Sequence, residues 1–235
     1  MALKRYGYSN GKLGFLLNQR IKDEKPLMDP VAHQFRILKM LGIELENSKL
    51  QLWPTAEDYS YIDEFLKSEW LSAEQLLIGI NISASSRWLS KNWPSEYIIK
   101  LCLELSRRDM RVVITGTEKD LLQANILIER LKNIKIINAC GKTTVNQLAC
   151  LIKRCAVFIF CDSAPLHIAT SQSVPFIALF GPTDPRRHLP PVKECTVIKK
   201  DLHCSPCYKS KCKTRKCMEL IKPEEVLEAI DKLLK

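Results

Sequence analysis

Short apolar runs alternate with longer amphipathic segments from about Leu76 to the end of the chain. The runs are rich in Ile, Val and Phe, which is typical of strands buried on both faces of a parallel sheet. They cover residues 76–82, 111–116, 134–138, 156–161, 175–181 and 196–200. The segments between them place apolar residues at helical spacing and cover residues 94–108, 119–132, 144–155 and 223–235. The pattern predicts an α/β fold with a parallel, doubly wound sheet.

Residues 1–70 do not follow this alternation. They predict a short strand near Arg20, helices around 32–41 and 56–70, and a tight turn at Asn10–Gly11. No set of strands in this segment could make a self-sufficient sheet. We therefore expect this segment to be the end of a domain whose beginning is absent.

Residues 156–170 predict a strand that is followed by the start of a helix. Asp162 follows the apolar run, Ser163 is placed as a helix N-cap, and Pro165 and His167 come in the first turns of the helix. The N-terminus of a helix after a parallel strand favours anionic ligands. This stretch therefore predicts an anion-binding site, with His167 either a donor to a phosphate or a helix histidine whose hydrogen bonds are satisfied within the protein.

A second loop is expected to face the same ligand. If the sheet has the common order 3-2-1-4-5, the loops leaving its first and fourth strands meet at one crevice. The first of these loops, residues 83–94, offers hydroxyls at Ser83, Ser85 and Ser86 and a cation at Lys91. Lys91 is interpreted as a countercharge for a diphosphate, or else as an incidental surface lysine.

Glu118 follows the second strand, where an acid can accept hydrogen bonds from ribose hydroxyls. The alternative is a first-turn acid that helps to cap the following helix. The chain has no G-x-G-x-x-G, P-loop or G-x-S-x-G motif, so a phosphate-binding site here must use a different arrangement of residues.

Composition indicates an ordinary globular protein. The 235 residues are 46% hydrophobic and 26% charged, without an apolar run long enough for a membrane span or a secretory signal. We therefore expect a soluble, cytoplasmic protein. Net charge is +10, and residues 199–216 hold seven Lys and Arg against the single acid Asp201. This patch could meet an anionic membrane surface, an anionic substrate or nucleic acid, or be a solvated loop; with Tyr208 its only aromatic residue, no nucleic-acid partner is expected.

Ten cysteines fall into two groups. Six are scattered, mostly through apolar segments, and are interpreted as small buried hydrophobic residues: Cys102, Cys140, Cys150, Cys155, Cys161 and Cys195. Four form a cluster with metal-ligand spacing: Cys204, Cys207, Cys212 and Cys217. The cluster suits a structural zinc ion or an iron–sulfur cluster, and the alternatives are free thiols or a local disulfide.

Several of these motifs, in this order, resemble glycosyltransferase family 9, the ADP-heptose:lipopolysaccharide heptosyltransferases and their relatives. The resemblance is carried by DSAPLHIA at 162–169, PFIALFGPTDP at 175–185, KNWP at 91–94 and GKT at 141–143. The ending CSPCYKSKCKTRKCM, followed by PEEV, is also similar to a family ending. The match covers the chain from about Leu76 onward.

The resemblance implies a GT-B fold, in which two Rossmann-like domains face a cleft and the C-terminal one holds the nucleotide sugar. It implies inverting, metal-independent transfer of a heptose or similar sugar from an ADP-sugar to lipopolysaccharide core or another lipid-linked, anionic glycan. Peripheral contact with the inner face of the cytoplasmic membrane follows from such an acceptor. By this resemblance Lys91 contacts the diphosphate and Glu118 the ribose. The remaining donor-binding residues that it implies are Ser85 or Ser86, Asp162, Ser163, Ala164, His167 and Thr183.

Two features depart from the family pattern. Ala164 replaces a glycine, which would cost roughly 1 kcal/mol if the residue had to be left-handed. The Gly-rich loop that carries the family's catalytic acid has no counterpart, so no catalytic residue is identified.

The resemblance divides the chain into a remnant of the acceptor-side domain at 1–74, a donor-binding domain at 75–222 and a C-terminal helix at 223–235. We expect the donor-binding half of a truncated glycosyltransferase. The alternatives are another nucleotide-sugar reaction such as epimerisation, or a non-catalytic nucleotide-sugar-binding half, either a gene remnant or one subunit of a split enzyme.

Overall fold

The computed structural model describes residues 3–9, 14–22, 27–72 and 74–235. The predicted turn at Asn10–Gly11 lies outside these residues. The chain divides into two compact units. The smaller consists of Met1–Lys49 with Pro185–Pro191, and the larger of Leu50–Asp184 with Val192–Lys235.

The smaller unit contains strands β1 (Tyr6–Tyr8) and β2 (Gln19–Ile21), which pair in parallel, and helix α1 (Pro30–Lys39). The Asp29 side chain caps α1 by accepting hydrogen bonds from its first backbone N–H groups. The strand near Arg20 and the helix are confirmed. Strand β1 is not predicted by the sequence pattern, because Tyr-Gly-Tyr contains no aliphatic run. None of the described residues from Leu3 to Lys49 is buried.

The larger unit is built on a six-stranded, fully parallel sheet. Its strands are β3 (Leu77–Asn81), β4 (Arg111–Thr115), β5 (Ile136–Asn138), β6 (Val157–Cys161), β7 (Phe176–Phe180) and β8 (Cys195–Lys199). Their spatial order is β5-β4-β3-β6-β7-β8. The predicted doubly wound sheet is confirmed, including the reversal of strand order between its first and fourth strands.

Helices and short helical turns connect these strands. The helices are α2 (Ala56–Ser68), α3 (Ser95–Arg107), α4 (Leu121–Arg130), α5 (Val145–Lys153), α6 (Ala164–Gln172) and α7 (Pro223–Leu233). Single turns occur at Leu89–Lys91, Glu118–Asp120 and Lys216–Glu219. Among the described residues, no helix combines the length and apolar character needed to cross a membrane.

The core lies along the central strands β3, β4, β6 and β7, whose residues are buried over their whole length. Phe158, Phe160 and Phe176 fill one side of the sheet, with neighbouring ring centroids 5.8 and 5.1 Å apart. A Cβ on Gly79 would lie 2.1 Å from the Phe158 ring. The ring therefore packs so close to the β3 backbone that only glycine fits at residue 79. Burial on both faces explains why these strands are continuous apolar runs.

Helix α2 packs within the larger unit. The Tyr61 hydroxyl donates to the Lys142 carbonyl at 2.7 Å, and Asp63 pairs with Arg154 at 2.9 Å. The compact units therefore divide at residues 49 and 50, whereas the expected boundary lay at residues 74 and 75. The three-part division of the chain stays a prediction.

Candidate functional site

The candidate site lies where strands β3 and β6 run side by side and end at the same edge of the sheet. The loop after β3 carries a helical turn, Leu89–Lys91, and the loop after β6 begins with Asp162. This edge, at the reversal of strand order, is where open α/β sheets bind ligands. The predicted crevice between the two loops is thus present in the larger unit.

An ion pair links the two loops. The Lys91 Nζ atom lies 2.7 Å from Asp162 Oδ2, and the Thr183 hydroxyl donates to the same oxygen at 2.7 Å. The Lys91 and Asp162 side chains are only 14% and 9% exposed. Lys91 Nζ also lies 4.6 Å from the centre of the Trp88 ring, a cation–π contact. Three predicted donor-binding residues, from three different loops, therefore form one hydrogen-bonded group.

Helix α6 begins as predicted, with Ser163 as its N-cap and Pro165 in its first turn. The Ser163 hydroxyl donates to the Cys161 carbonyl at 2.8 Å and makes no capping hydrogen bond. The first backbone N–H groups of α6 thus have no side-chain cap, which leaves them to an anionic ligand. Ala164 has a helical backbone and no positive φ, so the expected strain from replacing glycine does not arise.

Two cavities open beside the loops after β3 and β4, and the first of them also borders the start of α6. The first has a volume of about 380 Å³, and the second about 450 Å³. The first is lined by Asn81, Ser83, Ala84, Gly116, Thr117, Glu118, Asp120, Gly141, Thr143, Thr144, Val145, Leu148, Ala164, Pro165 and Ile168. The second is lined by Ser83, Ala84, Ser85, Ser86, Thr117, Glu118, Lys119 and Asp120. Both have the size typical of small-molecule sites, roughly 300–1,000 Å³.

Glu118 lines both cavities and is exposed. Asp120, not Glu118, caps the turn, because its carboxylate accepts from the Thr117 N–H at 2.7 Å and the Thr117 hydroxyl at 2.8 Å. Within the described chain, the Glu118 carboxylate forms no hydrogen bond of its own. Gly141 has a φ of +68°, and a Cβ there would lie 3.1 Å from Glu118 Cγ. The glycine of the GKT motif thus packs against Glu118, the residue predicted to bind the ribose.

The other predicted donor-binding residues divide between the cavities and their surroundings. Ser85 and Ser86 line the second cavity, and Ala164 lines the first. His167 is exposed on α6 and belongs to neither of these linings. Four predicted residues therefore line the cavities, and the other five belong to neither lining: Lys91, Asp162, Ser163, His167 and Thr183.

Ser90 is a residue of this site that sequence reasoning missed. It is 1% exposed, and its hydroxyl donates to the Lys209 carbonyl at 2.6 Å while its N–H donates to the Ser210 carbonyl at 3.2 Å. In the loop after β7, the Pro182 carbonyl accepts from the N–H groups of Cys207 and Tyr208 at 3.0 and 2.8 Å. The cysteine-containing loop after β8 is therefore bonded to the loops after β3 and β7. The partners are main-chain atoms remote in sequence, so no motif indicates these contacts.

The scattered cysteines are interior residues, as predicted. Five are buried, and Cys195 is half-buried. Burial raises the pKa of the Cys102 and Cys161 thiols to about 12, and it raises that of Cys155 further. These thiols stay protonated near neutral pH and contribute to packing.

The clustered cysteines lie close enough to influence one another. Burial raises the pKa of the Cys217 thiol most, and the neighbouring Cys207 and Cys204 raise it further. The exposed Cys212 has a lowered pKa because the backbone N–H groups of Arg215 and Thr214 stabilise its thiolate. Among the described residues, however, no three or more His, Cys, Asp or Glu side chains are grouped to hold a metal ion.

The predicted zinc or iron–sulfur site is therefore not supported. The backbone of the loop is held in place by hydrogen bonds to Pro182 and Ser90. Cys217 packs against Gly181, where an added Cβ would lie 3.0 Å from its Sγ, whereas Cys204 and Cys212 are exposed. All four thiols are free, which matches one of the alternatives.

The family model of glycosyltransferase family 9 (heptosyltransferase) matches residues 2–218. Lipooligosaccharide heptosyltransferase 2 of Campylobacter jejuni subsp. jejuni serotype O:6 is 36% identical over 163 residues, which are 67% of this chain and 51% of that protein. The chain spans about half the length of that protein and of the same enzyme from serotype O:2.

Two solved structures share the fold. A glycosyl transferase of family 9 from Veillonella parvula superposes with a TM-score of 0.81 at 27% identity, over 94% of this chain and 64% of that one. The E. coli ADP-heptose lipopolysaccharide heptosyltransferase II gives a TM-score of 0.77 at 24% identity, over 99% of this chain and 70% of that one. With a family model covering most of its residues and a GT-B-type relative superposing on nearly all of them, the chain belongs to glycosyltransferase family 9, the heptosyltransferases.

Proposed function

We propose that the larger unit is the donor-binding half of a heptosyltransferase, which takes ADP-heptose or a related nucleotide sugar. The observation that carries the proposal is the group formed by Lys91, Asp162 and Thr183 at the strand reversal, beside two cavities of suitable size. A nucleoside diphosphate needs a cation, free backbone N–H groups and an acceptor for ribose hydroxyls. The loops after β3, β4 and β6 supply all three within one unit.

In this proposal the diphosphate lies at the start of α6, where the N–H groups of Ser163 and Ala164 and the helix dipole favour negative charge. Lys91 exchanges the Asp162 carboxylate for a phosphate oxygen and offsets the charge that develops on the departing ADP. Glu118 accepts from the ribose hydroxyls, and Ser85 or Ser86 donates to the diphosphate from the second cavity. Donor activation then rests on this chain's own cation and amide dipoles.

The transfer itself is an inverting displacement. An acceptor hydroxyl attacks the anomeric carbon as the bond from that carbon to the ADP oxygen breaks, and a general base takes the hydroxyl proton. Such a base commonly contributes 10²–10⁴-fold to the rate. We propose that the base belongs to the acceptor side of the complete enzyme and that the acceptor is lipopolysaccharide core or another lipid-linked, anionic glycan. The protein would then work in the cytoplasm, at the inner face of the membrane.

A second candidate is a nucleotide-sugar-binding half without turnover of its own. The coverage of its relatives favours it, since the chain spans only about half the length of the curated heptosyltransferases that it matches. The two candidates share the donor site and differ in transfer. Incubation with ADP-heptose and a lipopolysaccharide acceptor, followed by ADP release, separates them.

Calorimetric titration tests the shared part. ADP and ADP-heptose are expected to bind and a UDP-sugar to bind more weakly, while Lys91→Ala weakens ADP binding by about tenfold or more. Lys100→Ala, which removes an exposed lysine from α3, is the matched control and should leave the affinity unchanged. Failure of the wild-type protein to bind any nucleotide would refute the donor site, and a preference for UDP would refute the heptose assignment.

A further inference from the structure

A strongly basic segment lies beside the candidate site without belonging to it. Residues 203–216, here called the basic loop, connect β8 to the helical turn at Lys216–Glu219 and contain five Lys or Arg and no acid. Lys200, just before the loop, is already paired with Glu225 on α7 and is not counted with it. An irregular connection of this length is uncommon inside a domain and is usually functional.

The cations of the basic loop form no ion pairs with the described residues of the protein. Lys209, Lys211, Lys213 and Lys216 are exposed and Arg215 is half-buried. In the part of the chain that the structure describes, none of the five side chains forms a salt bridge, and none lines the two cavities described above. The loop therefore presents a concentrated positive field to solvent, and such a field attracts polyanions.

The backbone of the loop is nevertheless fixed. Its residues 207 and 208 are held by Pro182 and its residues 209 and 210 by Ser90, as described above. The Ser205 hydroxyl adds a bond to the Gly181 carbonyl at 2.6 Å. The cations are thus held at the carboxyl edge of the sheet, beside the turn that carries Lys91.

The form of the patch indicates the kind of anion it meets. Four exposed lysines alternate with small residues over a short stretch, and the only aromatic side chain among them is Tyr208. A single phosphate requires converging donors in a pocket, and single-stranded nucleic acid requires stacking surfaces. Separate, exposed cations suit an extended anionic surface, where each lysine contributes independently.

We propose that the basic loop binds the anionic surface of a phospholipid membrane. The inference rests on the proposed function, because a lipid-linked acceptor must be met at such a surface. The loop would hold the donor crevice against the membrane while leaving nucleotide binding to the residues of the crevice. Its contact is electrostatic and therefore weakens as salt concentration rises.

Cosedimentation with vesicles tests the proposal on the full chain. The wild-type protein is expected to bind phosphatidylcholine vesicles that contain phosphatidylglycerol and not those of phosphatidylcholine alone. Replacing Lys209, Lys211, Lys213 and Lys216 with Gln should reduce this binding by roughly several hundred-fold, about fivefold per lysine. The control carries Lys100→Gln, Lys132→Gln, Lys135→Gln and Lys232→Gln, which remove the same charge from exposed positions elsewhere and should retain most of the binding.

The outcomes separate this proposal from the proposed function. Equal binding to both vesicle types, or equal losses in the two quadruple variants, would overturn the proposal that the basic loop binds an anionic membrane. Displacement from anionic vesicles by an oligonucleotide at lower concentration than by free lipid headgroup would assign the loop to nucleic acid instead and overturn it too. Calorimetry with ADP runs in parallel: loss of ADP binding in the wild type counts against the donor site, whereas retained ADP binding without vesicle binding counts only against the basic loop.

Discussion

Lys91 has two anionic partners in the proposed function, and they compete for it. In the structure its ammonium group is held by Asp162 at 2.7 Å in a pair that is largely withdrawn from water. A diphosphate entering the crevice must take the ammonium group from that carboxylate and also come near its negative charge. The same residue that orders Lys91 in the empty site therefore opposes the ligand that Lys91 is proposed to bind.

This competition makes Asp162→Asn informative. The amide still accepts the hydrogen bond from Thr183, but Lys91 loses its countercharge, so the free energy of unfolding should fall by about 2–4 kcal/mol. ADP affinity should rise by roughly threefold to tenfold, since the competing carboxylate is gone. Urea denaturation and calorimetry measure the two effects.

The control for this prediction is Asp231→Asn, which breaks the exposed pair with Arg108. It should change stability by less than about 1 kcal/mol and leave ADP affinity as it is. A loss of ADP affinity in Asp162→Asn would instead mean that the carboxylate is needed to orient Lys91.

At the scale of elements, the strands and helices of the larger unit were predictable because burial leaves a periodic trace. The run at 156–161 is a strand buried on both faces, and the predicted N-cap at Ser163 is where α6 begins. Strand β1 left no such trace, since its residues are only half-buried.

The loops could not be predicted in the same way. Ser90 reaches a carbonyl 119 residues away in sequence, and carbonyl positions are not encoded by residue type. For the same reason the cysteine spacing suggested a metal site, whereas the loop's course is set by its main-chain hydrogen bonds.

Ser90→Ala tests how far these loop contacts support the site. The substitution leaves the Lys209 carbonyl without its hydroxyl donor, and loss of such a part-buried hydrogen bond costs about 1 kcal/mol. We expect faster amide hydrogen exchange in residues 204–216 and several-fold weaker ADP binding, because the turn that carries Lys91 loses its support.

Ser68→Ala removes a comparable hydroxyl–carbonyl bond, to Phe65 in α2, and serves as the control. It should affect neither readout. Unchanged exchange in the loop of Ser90→Ala would show that its remaining backbone hydrogen bonds suffice to hold it.

At the scale of the whole molecule, the two units differ in how much they bury. The larger unit encloses a continuous core along its central strands, while in the smaller one no described residue before Leu50 is buried. Its two strands are three residues long and, among the described residues, form a sheet of just two strands. Two-stranded sheets of this size are marginal in water, so the stability of the chain resides in the larger unit.

Native-state hydrogen exchange should report this difference. Amides of α1, β1 and β2 are expected to exchange near the unprotected rate, whereas those of β4 and β6 should be slowed by at least about 10³-fold. Saturating ADP at about 100 times its Kd should add roughly 2.7 kcal/mol to the protection of the larger unit alone. Protection of α1 equal to that of β6 would contradict the expectation.

The bonds between the basic loop and the crevice have one further consequence. Cys207 and Tyr208 bind the loop after β7, and Lys209 and Ser210 bind the loop after β3, so four consecutive residues act as a spacer of fixed length. A peptide of four residues spans at most about 14 Å, and each residue added or removed changes that by about 3.5 Å. Surface loops ordinarily tolerate insertions, but here the length of one short segment fixes how far apart the loops after β3 and β7 are held at these contacts.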